Sequence, residues 1–308
     1  YAEAHCNLAV TLRELGRMDE AKVSCERAIA LNPDYAEAHY NFGVTLKKLG
    51  KLIEAEASCR RAIALKPDLA EAHSALAKIL YASGHTDLSL ESIGRANCIA
   101  PETLDYELIM HFLKARKYRE KGGMKLGSAS RSSKLSLKIG EMSVDPSLVN
   151  ALYDMSSRTL DETKDGRYGS GFCSPDFRLF ENNDPSIQRL ARGLTKIMTD
   201  AVQSDIYIYD SFFNILKCGG GTTPHRHLNT LDKEETFNLS RQKYSLVYYL
   251  RIGDQESSEP GTLKLLEPEQ QILPREGMTV IMPASRPHFA IYNGTDDRVM
   301  VGVNFYSL

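Results

Sequence analysis

Four residues late in the chain could do chemistry together. His225 and His227 stand one residue apart in GGGTTPHRHLN (219–229), His288 opens the run HFAIYN (288–293), and Arg298 follows ten residues later in DRVMVGVNFY (297–306). Side chains at i and i+2 of a strand share one face, so two imidazoles at this spacing can address one ion. A third imidazole from an opposite strand would complete a facial set with open coordination positions. If the strands carrying His288 and Arg298 are neighbours across the turn NGTDD (293–297), a guanidinium enters the same cavity. Its planar, permanently charged fork suits a carboxylate, which it can hold bidentately. A lone strand histidine is usually structural and a lone arginine usually a surface charge, but that alternative must explain four coincident positions. Asp232 could supply a carboxylate in place of His227. Asn214 and Asn304 are weaker pocket candidates, Cys218 reads as packing, and alternation lets only one of Tyr248 and Tyr249 face inward.

Short apolar runs separated by turn residues carry these groups: 205–217, 243–252, 261–267, 278–283, 287–293 and 297–306, preceded by a helical stretch at 185–204. Six such runs predict a mainly-β jelly-roll or related barrel with flanking helices. The other five of the eight histidines (His5, His39, His73, His85, His111) belong to a different region.

That region is a repeat. YAEAHCNLAVTLRELGRMDEAKVSCERAIALNPD (1–34) recurs at 35–68 and, more loosely, at 69–102, a period of 34 residues. Leu8, Gly16, Ala21, Ala28 and Pro33, then Phe42, Gly43, Gly50, Ala55, Ala62 and Pro67, resemble the landmarks of the tetratricopeptide repeat. In the physics of a helix-turn-helix unit, Gly16 and Gly50 end the first helix, small alanines allow close approach, and Pro33 and Pro67 stop the second. His5, His39 and His73 recur one repeat apart, too far for one ion. Cys25 and Cys59 share one position and read as small buried hydrophobes, with Ile93 in their place in the third repeat. Residues 103–120 are expected to form a capping helix.

The length of 308 residues predicts two or three domains. The expected division is a repeat array at 1–120, a Gly/Ser/Lys-rich linker at 121–135 and a β-domain at 136–308. A net charge of -2 gives no broad pull toward nucleic acid or a membrane, and neither is expected as a partner. Six scattered cysteines without CxxC pairs predict a reducing, cytoplasmic compartment. No leader or apolar span is apparent. Tyr1 lies inside a repeat, which predicts a fragment whose N-terminus is missing.

The paired ligands, the gap of ~60 residues, the distal histidine and the arginine ten residues on resemble the Fe(II)/2-oxoglutarate-dependent oxygenases, built on a double-stranded β-helix. More narrowly, YSLVYYL (244–250), PGTLKLLEP (260–268) and EGMTVIMPASRPH (276–288) are similar to 2-oxoglutarate oxygenases that often carry tetratricopeptide repeats. The likeness covers roughly residues 180–308 besides the array. It implies Fe(II) on His225 and His288, with Arg298 on the far carboxylate of 2-oxoglutarate. His227 stands where that superfamily has Asp or Glu. Three readings follow: a three-histidine site, a two-histidine site completed by water as in the aspartyl/asparaginyl β-hydroxylases, or a damaged site. The favoured reading makes His227 the third ligand. The resemblance implies an oxygenase acting on a peptide or protein, with a peptide or protein partner held by the array. The alternatives are a cupin-like metal enzyme without 2-oxoglutarate and a non-catalytic adaptor.

Overall fold

Small residues at fixed spacing decide the first unit. The computed structural model describes residues 1–120, 135–155, 157–159, 169–234 and 236–308, in two compact units, Tyr1–Leu126 and Gly127–Leu308. The expected linker at 121–135 lies outside the described residues except for Leu135. In the first unit, α1 (Ala2–Glu14) packs on α2 (Met18–Leu31), α3 (Ala36–Lys48) on α4 (Leu52–Leu65), and α5 (Ala70–Ala82) on α6 (Thr86–Ile99); α7 (Leu104–Glu120) packs on α6. Equivalent positions Ala9, Gly43 and Ala77, Ala28, Ala62 and Ala96, and Cys25, Cys59 and Ile93 are all buried. Burial pushes the Cys25 thiol up to about 11 and the Cys59 thiol to about 12, so both pack as neutral hydrophobes. Ser89, which replaces the alanine of the first two repeats, is also buried and donates to Ala77 O at 2.7 Å. The repeating histidines bond locally: His39 Nε2 lies 2.8 Å from Pro33 O, and His73 Nε2 3.0 Å from Pro67 O.

Gly43 marks the tightest helix approach, since a Cβ there would sit 2.5 Å from Cys59 Sγ and 3.1 Å from Ala55 O. Gly43→Val is expected to destabilise this unit by about 2 kcal/mol through overpacking. Thermal unfolding checks this, and Cys59→Ala should recover part of the loss.

The second unit is a curled antiparallel half-barrel in the order β1-β8-β5-β10-β4-β9-β6-β7, with β3 also on β4 and β2 on β3. Its strands are β1 (Lys138–Glu141), β2 (Arg158–Thr159), β3 (Gly169–Cys173), β4 (Ile206–His225), β5 (Lys243–Arg251), β6 (Leu263–Leu265), β7 (Gln270–Ile272), β8 (Met278–Pro283), β9 (His288–Tyr292) and β10 (Arg298–Ser307). Two helices, α8 (Pro146–Asp154) and α9 (Pro185–Val202), begin with the same device. Asp145 and Asp184 each accept the N–H of the serine two residues on, with proline between them.

Period-2 alternation separates the two faces of the sheet. Phe213, Ile215, Leu246, Tyr248, Val301 and Phe305 face α8 and α9 and form the main core with Leu152, Ile187, Leu194 and Met198. The intervening residues Phe212, Asn214, Leu216, Ser245, Val247, Tyr249, Met300 and Gly302 line a cavity on the other face. Tyr249 is therefore the inward tyrosine, and Tyr248 turns to donate to Ser143 O at 3.2 Å. Strand β4 is longer than the sequence run predicts. It pairs with β10 through Leu216, then with β9 from Gly220 to His225, crossing the glycines. At Gly221 (φ 151°) a Cβ would lie 2.2 Å from Ala290 O, so β9 approaches this closely only because the residue is glycine.

Candidate metal centre

The β4–β9 pairing sets His225 directly opposite His288. Strand β4 ends at His225, and His227 lies just beyond it. The shared-strand premise therefore fails for His227, but the backbone stays bonded. His227 N–H donates to Ala284 O at 2.9 Å, which keeps the i, i+2 alternation going for one more pair. Arg226, between the two imidazoles, turns outward to an exposed pair with Glu267 at 3.0 Å.

The three rings form a near-equilateral group, with centroids 4.9, 4.6 and 4.9 Å apart. One nitrogen from each lies within 4.8 Å of the others. His225 Nδ1 sits 2.9 Å from Thr223 O and His288 Nδ1 3.1 Å from Arg286 O, so a proton on each Nδ1 would leave Nε2 with its lone pair. His227 Nε2 and His288 Nε2 face one another at 3.1 Å. Two nitrogens each about 2.1 Å from an ion and at right angles to it lie about 3.0 Å apart. Burial drives the His288 pKa down to about 4, so the ring is neutral near pH 7, as a ligand must be. These donors fit a divalent transition metal.

Beside the triad is the cavity, with about 70 Å³ of free space, walled by Leu216, Val247, Leu263, Met300 and the inner residues named above. Apart from the imidazoles, no ionisable group but the Tyr249 phenol lines it, and burial pushes that phenol up to about 12.

Arg298 is not among the lining residues. It is fully buried on β10, donates Nε–H to Ile252 O at 3.0 Å and Nη1–H to Gly261 O at 2.6 Å, bonds Pro260 O through Nη2, and stacks 4.5 Å from the Tyr292 ring centroid. Its charge acts on Tyr249 in the cavity wall, whose pKa it pulls down against the larger effect of burial. As placed, the guanidinium presents no fork to a carboxylate in the cavity, so the residues present do not fit the far end of 2-oxoglutarate as they fit the metal. The expected neighbouring of the His288 and Arg298 strands does not hold, since β4 lies between β9 and β10, and the carbonyls that claim Arg298 lie some 40 residues upstream.

Asp232 is not brought to the triad either. It is buried and takes Lys243 Nζ at 2.8 Å, Tyr306 O–H at 2.8 Å and Asn229 N–H at 2.7 Å. Asn214 and Ser245 do reach the cavity, whereas Asn304 donates to Asp210 Oδ1 at 2.8 Å on the same sheet. Ser245, Thr222 and Phe212 were not anticipated. Ser245 and Asn214 were signalled only as polar residues inside apolar runs.

Burial pushes the Asp210 carboxyl up to about 6 from 3.8, against the Asn304 amide and the Lys243 ammonium. The folded state therefore binds more protons between pH 3.8 and 6, and stability falls as pH rises through that window. Asp210→Asn is expected to remove this slope and to stabilise the unit by about 2 kcal/mol at pH 7. Urea unfolding at pH 4 and pH 7 checks both.

Comparison with known proteins reaches the repeats. Tetratricopeptide-repeat models match residues 2–35 and 24–57. No curated protein matches the chain. Among solved structures, a mutant O-GlcNAc transferase of Thermobaculum terrenum is similar at 24% identity and TM-score 0.36, over 37% of this chain and 22% of its own. The first TPR of Spaghetti (RPAP3) bound to an HSP90 peptide is similar at 17% and 0.37, over 38% and 92%. MamA is similar at 24% and 0.37, over 40% and 70%. The chain thus spans 22% of the transferase's length. Its shown likeness is to tetratricopeptide repeats, at residues 2–57, a module that commonly binds peptides or proteins.

Proposed function

We propose that the unit Gly127–Leu308 is an Fe(II)-dependent oxygenase on a double-stranded β-helix, that the sequence resemblance, and not the placement of Arg298, argues for 2-oxoglutarate as its cosubstrate, and that the helical unit holds a peptide or protein partner. The observation that carries the reading is the convergence of three imidazole nitrogens beside a small, largely apolar cavity. The strand order supports the fold. Two runs of strands, β4-β10-β5-β8 and β4-β9-β6-β7, seven strands in all, share β4 in one curled sheet. Six free cysteines support a reducing compartment, and no described helix is long and apolar enough to cross a membrane.

Bound iron would supply the redox chemistry that activates dioxygen. The chain's own task is geometric. His225, His227 and His288 would hold the ion, whose three imidazole ligands would leave it able to take substrates as further ligands. Leu216, Val247, Leu263 and Met300 exclude water from the reacting group. Three neutral imidazoles leave a divalent ion its full charge, which favours an anionic chelator such as a 2-oxo acid.

The carbonyl bonds of Arg298 favour a second reading, a cupin-like metal enzyme without the oxo acid. Anaerobic titration with Fe(II) and then 2-oxoglutarate separates the two. A visible charge-transfer band on adding the oxo acid, with succinate formed once oxygen enters, supports the first. Iron uptake with neither supports the second.

A further inference from the structure

His227 lies just outside the strands that hold the other two imidazoles, since β4 ends at His225. Two hydrogen-bonded routes nevertheless fix the segment that carries it, and both lead to Lys243 on β5. Through the backbone, His227 N–H donates to Ala284 O at 2.9 Å and Ala284 N–H to Lys243 O at 3.0 Å. Through side chains, the Lys243 ammonium donates to Asp232 Oδ2 at 2.8 Å, and the same oxygen accepts Asn229 N–H at 2.7 Å. Asp232 N–H returns a bond to Asn229 Oδ1 at 3.0 Å, which closes the turn that begins two residues beyond His227. The stretch 227–232 is thus clamped at both ends on one lysine.

From this circuit we infer that Asp232 and Lys243 are positioning residues, a buried ion pair that aims His227 at the metal. The inference rests on the proposed metal centre for what His227 does, but not for how the pair holds it. The Lys243 side chain is 3% exposed and that of Asp232 0%. A buried ion pair stabilises a fold little better than apolar side chains of similar volume, because desolvation offsets the attraction. Stability alone leaves the pair unexplained, and its connections supply a reason. Tyr306 O–H donates to the other carboxylate oxygen at 2.8 Å, and the ammonium lies 4.8 and 5.1 Å from the Tyr209 and Tyr306 ring centroids. Neither charge is left to turn toward another partner. The carboxylate that could have been a ligand therefore acts on the site through the backbone of its neighbour.

The test compares the native protein with Asp232→Leu/Lys243→Met, which removes both charges together and so leaves neither buried and unpaired. In the metal-free proteins, amide hydrogen exchange at His227 is expected to quicken about tenfold in the double variant. Its Fe(II) affinity should fall about tenfold, the order set by loss of a group that orients a ligand. X-ray absorption should then show two imidazoles in place of three. Asn229→Ala, at a half-buried site, breaks only the reciprocal bond with Asp232 and should lose about threefold in affinity. Val301→Ala, in the core on the other face of the sheet, costs stability without touching the circuit and should keep native affinity and three imidazoles. A folded double variant with native exchange at His227, or with three imidazoles on the iron, overturns the inference. So does a Val301→Ala protein that loses as much affinity as the double variant, since general stability would then explain both. Asn229→Ala with native exchange and affinity overturns it even if the double variant does not fold. A native protein that takes up no Fe(II) sinks the metal centre instead, and the exchange result, which needs no metal, then decides alone whether the pair holds His227.

Discussion

His288→Ala is expected to lower metal affinity by more than about 100-fold, beyond what loss of a supporting group around a metal costs. The argument is geometric. His288 is the buried member of the triad, opposite His225 in the β4–β9 ladder and 3.1 Å from the His227 nitrogen. Without it two ligands remain on one short segment, 225–227, with no second strand to close the set. The readout is thermal unfolding with and without metal. At 100 times its dissociation constant an ion stabilises the folded state by about 2.7 kcal/mol, a rise of roughly 5–10 °C for a unit of this size. The native protein should show that rise and His288→Ala should not. Arg226→Ala, between the two ligands but turned to solvent, should keep it. Equal shifts in all three proteins would place the metal elsewhere.

Arg298→Ala is expected to destabilise the second unit by about 3–5 kcal/mol, the largest loss of any single substitution considered. The guanidinium closes the segment 252–261 onto β10 by bonding three carbonyls, all of which the alanine would leave unsatisfied. Desolvation lowers the arginine's pKa, and the carbonyls and the Tyr292 ring compensate the buried charge in place of a carboxylate. Arg298→Lys should rescue little, because one ammonium on a flexible stem cannot span three acceptors held by a planar fork. Urea unfolding measures the loss. A lysine variant as stable as the native protein that has lost 2-oxoglutarate binding would instead make Arg298 a carboxylate anchor.

The residues explain which features were readable. The repeat spacing places the small buried positions, because each repeat buries the same face. The histidine spacing brings His225 and His227 together although His227 is off the strand, since its N–H still pairs with Ala284. The orientation of Tyr248 and Tyr249 was not readable, because both sheet faces are apolar and the choice depends on where α8 and α9 dock. Helix α8 was overlooked, although its DPS start (145–147) repeats that of α9 (184–186). The fate of the Arg298 fork was invisible for a different reason. A strand pattern fixes which face a side chain leaves from, not which distant carbonyls meet it.

X-ray absorption of the protein loaded anaerobically with one equivalent of Fe(II) tests the metal centre most directly. Three imidazole nitrogens at about 2.1 Å are predicted, falling to two in His227→Ala. An iron environment with one imidazole or none, or one unchanged by the His227 substitution, would contradict the account.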